Sequence, residues 1–583
     1  MDVKKQLTGY PSIDKPWLKY YSEEALYTKP AECTVYQNIY ENNKDYLTNI
    51  AIRYFGRDIT YREMFQNVTL CAKSLKQIGI KKGDCVTLCT AGVPEAIYLV
   101  LACSRIGAIA NFLNPLFTTD QMIDRINDTE AEWIFVLDEM FSYIEKVLPH
   151  TCIKKAVIIP VSGSMPWLLG KAAYIKGKTR EIMRRKTPYQ LVVWTEFLKL
   201  GNGHQGRIGV PYEKDLPTVM VYSSGSTGAS KGILLTNDGI NATIAYYQTA
   251  DFPYKREHTF LQMIPVWFST GVVLSTLMPL CLGITVIPEP QFTKETFVKD
   301  LIKHKPNMTL AATSLWIYAV NSTKMGNIEL AAMKYPITGG EKLLPQDEKN
   351  INIFLKEHKC KRKILKGYGM CELGGTVTAS AIVKNYVNKF GGTGYPILRV
   401  IVSTFDLKTD CELKYGERGE IRVLSPARMK GYYKNPEATA EFFKEDEQGN
   451  IWGCTGDIGY VDEDGEVFIL GRATDSYELP DGERVYLFDT EEIINQDASV
   501  ASSKVVDIEE DGVKVLVAHI TLHDQADADT ESILQRIHEK CRAALPAYSV
   551  PKYYKVRDSF PVHANGKRDV EALRRDRVGL VEI

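Results

Sequence analysis

The sequence predicts an α/β protein: a large N-terminal region of parallel sheets flanked by helices with a smaller β subdomain, then a small α+β C-terminal domain. Three observations carry this. Apolar strand-like runs alternate with helix-period segments between residues 60 and 140, and again from Gly283 to Ala312; such alternation implies parallel strands covered by helices. From about residue 415 the texture changes to short strands separated by turn signals. The last hundred or so residues hold a few strands and one amphipathic helix.

Taken in order, CVTLCTA and WIFVLD read as buried strands, and PEAIYLVLACSRIG and TDQMIDRIND as helices. GITVIP, TKETFVKDLIKHK and NMTLAA repeat strand, helix and strand. GEIRVL and GYVDEDGEVFIL follow, with a hairpin turn at Asp462–Gly465. KVLVAHITL and ESILQRIHEKCRAAL complete the C-terminal domain. A chain of 583 residues is too long for one core. Its 71 basic and 72 acidic residues leave a net charge of −1, with no overall pull toward nucleic acid. Twelve scattered cysteines without a CxxC pair read as free thiols of a reducing cytoplasm rather than metal ligands. No signal peptide is expected. Ile264–Pro288 carries no charge, but its prolines and glycines favour a buried helix, a turn and a strand over a membrane span.

The most informative segment is TVMVYSSGSTGASKGILLT, Thr218–Thr236. Two β-rich runs flank small and hydroxylated residues ending in Lys231. Such a loop can wrap backbone N–H groups and hydroxyls around phosphate, with the lysine as counter-charge; the plain alternative is a flexible surface loop. It is not a Walker A loop, because Lys231 follows Ser230 and a strand follows where a helix should begin.

With GYGMCE (Gly367–Glu372), GYYKNPEAT (Gly431–Thr439), TGDIGYVDEDGEVFILGR (Thr455–Arg472) and NGK (Asn565–Lys567) in the same order, the sequence resembles the adenylate-forming enzymes: acyl- and aryl-CoA synthetases, nonribosomal adenylation domains and beetle luciferase. The resemblance implies ATP, Mg²⁺ and CoA as cofactors, and activation of a carboxylic acid as acyl-AMP before transfer to a thiol. It implies phosphate binding by Ser223, Ser224, Gly225, Ser226, Thr227, Gly228 and Lys231. Tyr368 would stack on adenine, beside Gly339, Gly340, Glu341 and Gly369. Glu372, with Thr227, would hold magnesium, as suits a hard cation that binds few protein ligands besides phosphate. Asp457 would accept from both ribose hydroxyls, and Arg472 would reach the ribose. Lys567 would meet the carboxylate and the α-phosphate during adenylation.

The chain departs from the family pattern at several places. Cys371 stands where threonine is usual, and a thiol is the weaker donor. Thr474 replaces the common lysine or aspartate of the hinge, at about residues 472–475 between residues 1–471 and a mobile domain at 476–583. The loop Ser476–Asp481 reads as one residue longer than usual, before Gly482 and Arg484 on the expected CoA path. Trp267, Phe268 and Gly271 are candidates for the acyl wall, with Trp267 and Phe268 as core aromatics the alternative. No aspartate accompanies them to meet a substrate ammonium, which points to a hydrophobic acid without an α-amino group. An acyl carrier protein is the alternative acceptor to CoA, and a nucleotide-binding protein without turnover is the alternative class. Finally, Ser164–Lys186 has an apolar front (Trp167, Leu168, Leu169, Tyr174, Ile175) and a basic tail. Seven cations, Lys171, Lys176, Lys178, Arg180, Arg184, Arg185 and Lys186, face Glu181 alone, a local charge of +6. It can meet a membrane surface or an acidic carrier, or be a solvated connector.

Overall fold

A computed structural model describes residues 7–223, 230–249, 251–381, 388–480, 483–523, 529–561 and 568–583, and the backbone but not the side chain of Lys176. Two large sheets dominate. The first runs Gly431–Tyr432, Gly232–Thr236, Pro217–Tyr222, Ile109–Phe112, Cys85–Cys89, Trp133–Leu137, Lys155–Ile159, Gln190–Val193. It is parallel except for Gly232–Thr236, the strand that follows the phosphate-loop segment and runs antiparallel to both its neighbours. The second has nine strands, parallel through Ile50–Tyr54, Thr285–Pro288, Thr259–Gln262, Met308–Ala311, Tyr335–Gly339 and Leu365–Tyr368 and antiparallel at both ends.

The helix Pro94–Ile106 shows why the sheets pack as they do. It is apolar on every side, and all of it but Arg105 is buried, as expected of a helix held inside a larger core. Pro94 opens it and Gly107, at φ 75°, ends it in the left-handed conformation. One contiguous core takes side chains from this helix, from the helix Tyr61–Gln77 and from both sheets, among them Leu88, Phe112, Phe260 and Met308.

A five-stranded antiparallel sheet follows (Ile401–Phe405, Gly419–Leu424, Ile451–Val461, Phe443–Glu445, Val467–Arg472), and the expected Asp462–Gly465 turn joins its last pair. The C-terminal sheet pairs Val500–Glu510, Val513–Leu522, Tyr553–Val556 and Val581–Glu582 beneath the helices Leu487–Ile494 and Thr530–Ala544. Ile264–Pro288 contains the π-helix Thr270–Leu277, the helix Met278–Leu282 and a strand. Among the described residues no helix is long and apolar enough to cross a membrane.

The reading of Ser476–Asp481 as loop needs correction. Ser476–Glu478 is a strand paired with Arg484–Tyr486, so a short hairpin arm stands where a loop was expected. Tyr477 supplies the reason: it alternates with polar neighbours and buries its ring in the C-terminal core.

Candidate active site

The ends of the phosphate-loop segment are cinched together. Ser223 N–H donates to the Lys231 carbonyl at 3.0 Å, Lys231 N–H to Ser223 Oγ at 3.0 Å, and Ser230 Oγ–H to the Ser223 carbonyl at 2.8 Å. Ser224, Gly225, Ser226, Thr227 and Gly228 lie outside the described residues. Lys231 leaves the loop on the strand Gly232–Thr236, which pairs with Gly431–Tyr432. That pairing sets the Lys231 Nζ 5.0 Å from the Tyr432 ring centroid.

Tyr432 O–H in turn donates to Glu372 Oε1 at 3.0 Å. Glu372 is 7% exposed, and its backbone carbonyl accepts from Met429 N–H at 2.7 Å. Burial raises its carboxyl above the usual range, opposed by the Tyr432 hydrogen bond and by the charges of Arg472 and Lys231. A single buried carboxylate suits Mg²⁺, which takes one or two carboxylates beside phosphate oxygens. Tyr432 is the functional candidate that the sequence reading missed. GYYKNPEAT was noted as a motif, but only the strand pairing shows which tyrosine turns to Glu372.

A second cluster gathers side chains from three strands. Tyr368 closes Leu365–Tyr368, and its hydroxyl donates to Asp457 Oδ2 at 2.5 Å. Asp457, on Ile451–Val461, stands directly across from Arg472, whose Nε is 3.0 Å from Asp457 Oδ1. Arg472 also donates to the Thr455 carbonyl at 3.0 Å. A side chain that stacks on a base and a carboxylate that takes ribose hydroxyls need to be neighbours, because base and ribose are. Tyr368 and Asp457, to which the resemblance gives these roles, are hydrogen-bonded to each other.

The glycines around this cluster bring backbones together. A Cβ on Gly369 would fall 2.4 Å from the Gly375 carbonyl oxygen, and one on Gly339 would fall 3.0 Å from that of Gly367. Gly340, at φ 82°, borders open space. Glu341 behaves differently from its neighbours: it accepts from Ser314 N–H at 2.8 Å and Ser314 Oγ–H at 3.1 Å, capping the helix Thr313–Val320. Cys371 begins the turn after Met370 and is half-buried. Cys371→Thr is expected to leave adenylation equal or faster, measured by ATP–pyrophosphate exchange. A severe loss would mean that the pocket is shaped around sulfur.

Trp267 is 1% exposed and belongs to the main core, edge-on to Phe292 at 5.1 Å, whereas Phe268 is only partly buried. A Cβ on Gly271 would lie 1.9 Å from the Pro265 carbonyl oxygen. The buried Ser269 borders Gly375, so this segment touches the loop that carries Cys371 and Glu372. Arg484 is tied within the hairpin arm, to Ser476 Oγ at 3.2 Å and to Glu478 at 3.3 Å. Gly482 and Lys567 lie outside the described residues. Arg568, next to Lys567, donates to the Ser503 carbonyl at 2.9 Å and feels the charge of Glu341.

A model of the AMP-binding enzyme family matches residues 39–433, more than half of the chain. The chain belongs to this family. The model of the AMP-binding enzyme C-terminal domain matches residues 489–567. The long-chain-fatty-acid–CoA ligase of Bacillus subtilis is 25% identical over 95% of this chain and 96% of its own length. The enzyme so named in Haemophilus influenzae is 25% identical over 90% and 92%. Among solved structures, ATP-bound MatB from Rhodopseudomonas palustris has the same fold, with a TM-score of 0.76 at 21% identity over 92% of this chain and 98% of that one.

Proposed function

We propose that this member of the AMP-binding family is an AMP-forming acid–thiol ligase that joins a long-chain carboxylic acid to CoA. In the first step a carboxylate oxygen attacks the α-phosphorus of ATP, the bond to pyrophosphate breaks, and acyl-AMP forms. In the second the CoA thiol loses its proton, its sulfur attacks the acyl carbon, and AMP leaves. The observation that carries this reading is the meeting of Tyr368, Asp457 and Arg472 within hydrogen-bond reach. Arg472 and Lys231 both act on the charge of Glu372. Adenosine sits at Tyr368 and Asp457, and its phosphates run toward Lys231. Glu372 would hold magnesium, which would supply positive charge to those phosphates. Lys567 brings a cation to the approach of two anions, where fixed charge lowers the barrier most. Trp267, Phe268 and Gly271 border the acyl group, and Gly482 and Arg484 the CoA path.

The long-chain substrate and CoA are supported by the names of the two bacterial relatives. The chain divides into residues 1–471 and 476–583, with the turn Ala473–Asp475 as hinge; the separate C-terminal sheet and the second family model support this. All twelve cysteines are unbridged, which suits a cytoplasmic setting.

ATP–pyrophosphate exchange with acids of graded chain length is the test, followed by mass spectrometry of a reaction containing CoA. Exchange strongest with long acids, and acyl-CoA as product, is the expected outcome. Accumulation of acyl-AMP alone would transfer the second step to an acyl carrier protein. ATP binding without exchange for any acid would leave a nucleotide-binding protein, the reading that Cys371 and Thr474 favour.

A further inference from the structure

Among its described side chains, the helix Trp167–Lys176 has none that is buried. Trp167 and Leu168 are each 73% exposed, Leu169 58% and Ile175 54%, and Tyr174 is exposed as well. Elsewhere among the described residues, exposed large apolar side chains occur singly or in adjacent pairs. A soluble protein that keeps such a cluster in water carries an unmet surface.

The helix is not a frayed end. Ser164, just before it, donates from Oγ to the buried Glu95 at 2.7 Å. Thr179, just after it, donates from Oγ1 to Asp138 Oδ2 at 2.5 Å, and Val161 N–H donates to Asp138 Oδ1 at 3.1 Å. Both ends are therefore pegged into the protein while the helix between them faces solvent.

The charges beside it are less numerous than composition alone indicates. Lys178 is paired with Glu139, and Arg185 with Glu145 and Glu181. Arg180, Arg184 and Lys186 remain exposed with no acidic partner among the described residues, and Lys171 lies 5.3 Å from the Trp167 ring. Exposed apolar side chains next to unpaired cations are complementary to a surface that is oily below and anionic above.

We propose that the Trp167–Lys176 helix and its basic tail dock this protein on an anionic phospholipid bilayer. Ten residues are too few to span a bilayer, which needs about 20. The helix lies in the interface, with Leu168, Leu169 and Ile175 among the acyl chains. Trp167 and Tyr174 suit the headgroup level, and Lys171, Arg180, Arg184 and Lys186 meet lipid phosphates. A bilayer fits better than an acidic protein because the helix is apolar on its outer sides rather than along a stripe that one groove could cover.

Position in the fold agrees with a lipid occupant. Glu95, which holds Ser164, follows Gly92, where a Cβ would lie 3.2 Å from Gln262 Oε1. Gln262 Nε2–H donates to Thr276 Oγ1 at 2.8 Å, and Thr276 O–H donates to the Gly271 carbonyl at 2.9 Å. The base of the docking helix is thus linked through a few contacts to the expected acyl wall. The docking itself does not depend on the proposed reaction.

Co-sedimentation of the full-length protein with vesicles tests it. The protein should sediment with phosphatidylcholine vesicles that contain phosphatidylglycerol, less with phosphatidylcholine alone, and less again with added salt. The triple variant Trp167→Ser, Leu168→Ser, Leu169→Ser should bind at least about 10-fold more weakly. Arg184→Glu with Lys186→Glu should remove the preference for anionic vesicles. Both variants should keep wild-type ATP–pyrophosphate exchange with a short, water-soluble acid if wild type turns it over, and a wild-type melting temperature in any case. Vesicle binding equal to wild type in both variants would overturn the proposal, as would no sedimentation of wild type with any vesicle. If the apolar variant instead converts a dimer to a monomer while wild type ignores vesicles, the helix is a contact between two copies of this chain.

Discussion

Lys567→Ala should stop acyl-adenylate formation yet spare thioester formation from a supplied acyl-adenylate. During adenylation a carboxylate approaches a polyphosphate, and attack builds further charge on the α-phosphate oxygens. A fixed ammonium at that point is worth most where water is excluded, and removing one such group costs on the order of 10²–10³-fold in rate. Thioester formation starts from a mixed anhydride whose acyl group no longer carries the carboxylate charge, so the same lysine has no anion pair to bridge. Pyrophosphate exchange reads the first step, and acyl-CoA produced from synthetic acyl-AMP reads the second. Equal loss in both would show that Lys567 supports the fold or binds AMP, and not the approach of the two anions.

Asp457→Ala should weaken ATP binding on the order of 10²-fold or more, because hydrogen bonds to a charged group are each worth about 1.5–3 kcal/mol and two ribose hydroxyls would lose theirs. The substitution also releases Tyr368, whose hydroxyl Asp457 holds at 2.5 Å, so the adenine platform should loosen with the ribose contact. Arg472 is half exposed, and the loss of its carboxylate partner should cost under about 1 kcal/mol. Calorimetric titration with ATP measures the first effect, and a thermal melt checks that the folded state survives. Asp457→Asn, which keeps one oxygen acceptor, should fall between wild type and alanine. An unchanged ATP affinity in the alanine variant would remove Asp457 from the ribose site.

The two sites differ in how far they could be read in advance. Tyr368, Asp457 and Arg472 each sit in an ordered motif, and the hairpin whose turn, Asp462–Gly465, is written in the sequence brings the last two near each other; a register shift at Ile458–Gly459 then sets Asp457 across from Arg472 rather than Gly471. Lys231 and Glu372 were legible as separate candidates, but their link was not. It runs through Tyr432, brought in by a two-residue strand against Gly232–Thr236 from some two hundred positions away, and no local pattern records such a pairing. Glu341 carries a contact that its motif does not announce: beside the Gly339–Gly340 turn, its carboxylate accepts from Ser314 and caps the helix Thr313–Val320.

By itself the sequence determined the fold class, the order of strands and helices, and the candidates for phosphate, adenine and ribose contacts, because hydrophobic period, turn residues and motif chemistry are local. Only the tertiary structure decided which side chains meet. It turned Ser476–Glu478 into a hairpin arm by burying Tyr477. It neutralised Lys178 and Arg185 with acids from Glu139 and Glu145, far from them in the chain. It also left Trp167, Leu168, Leu169 and Ile175 in water. Composition marks such residues as apolar, but whether a core receives them depends on where the rest of the chain has already closed. Here both ends of their helix are pegged to the buried residues Glu95 and Asp138, which holds the apolar face outside.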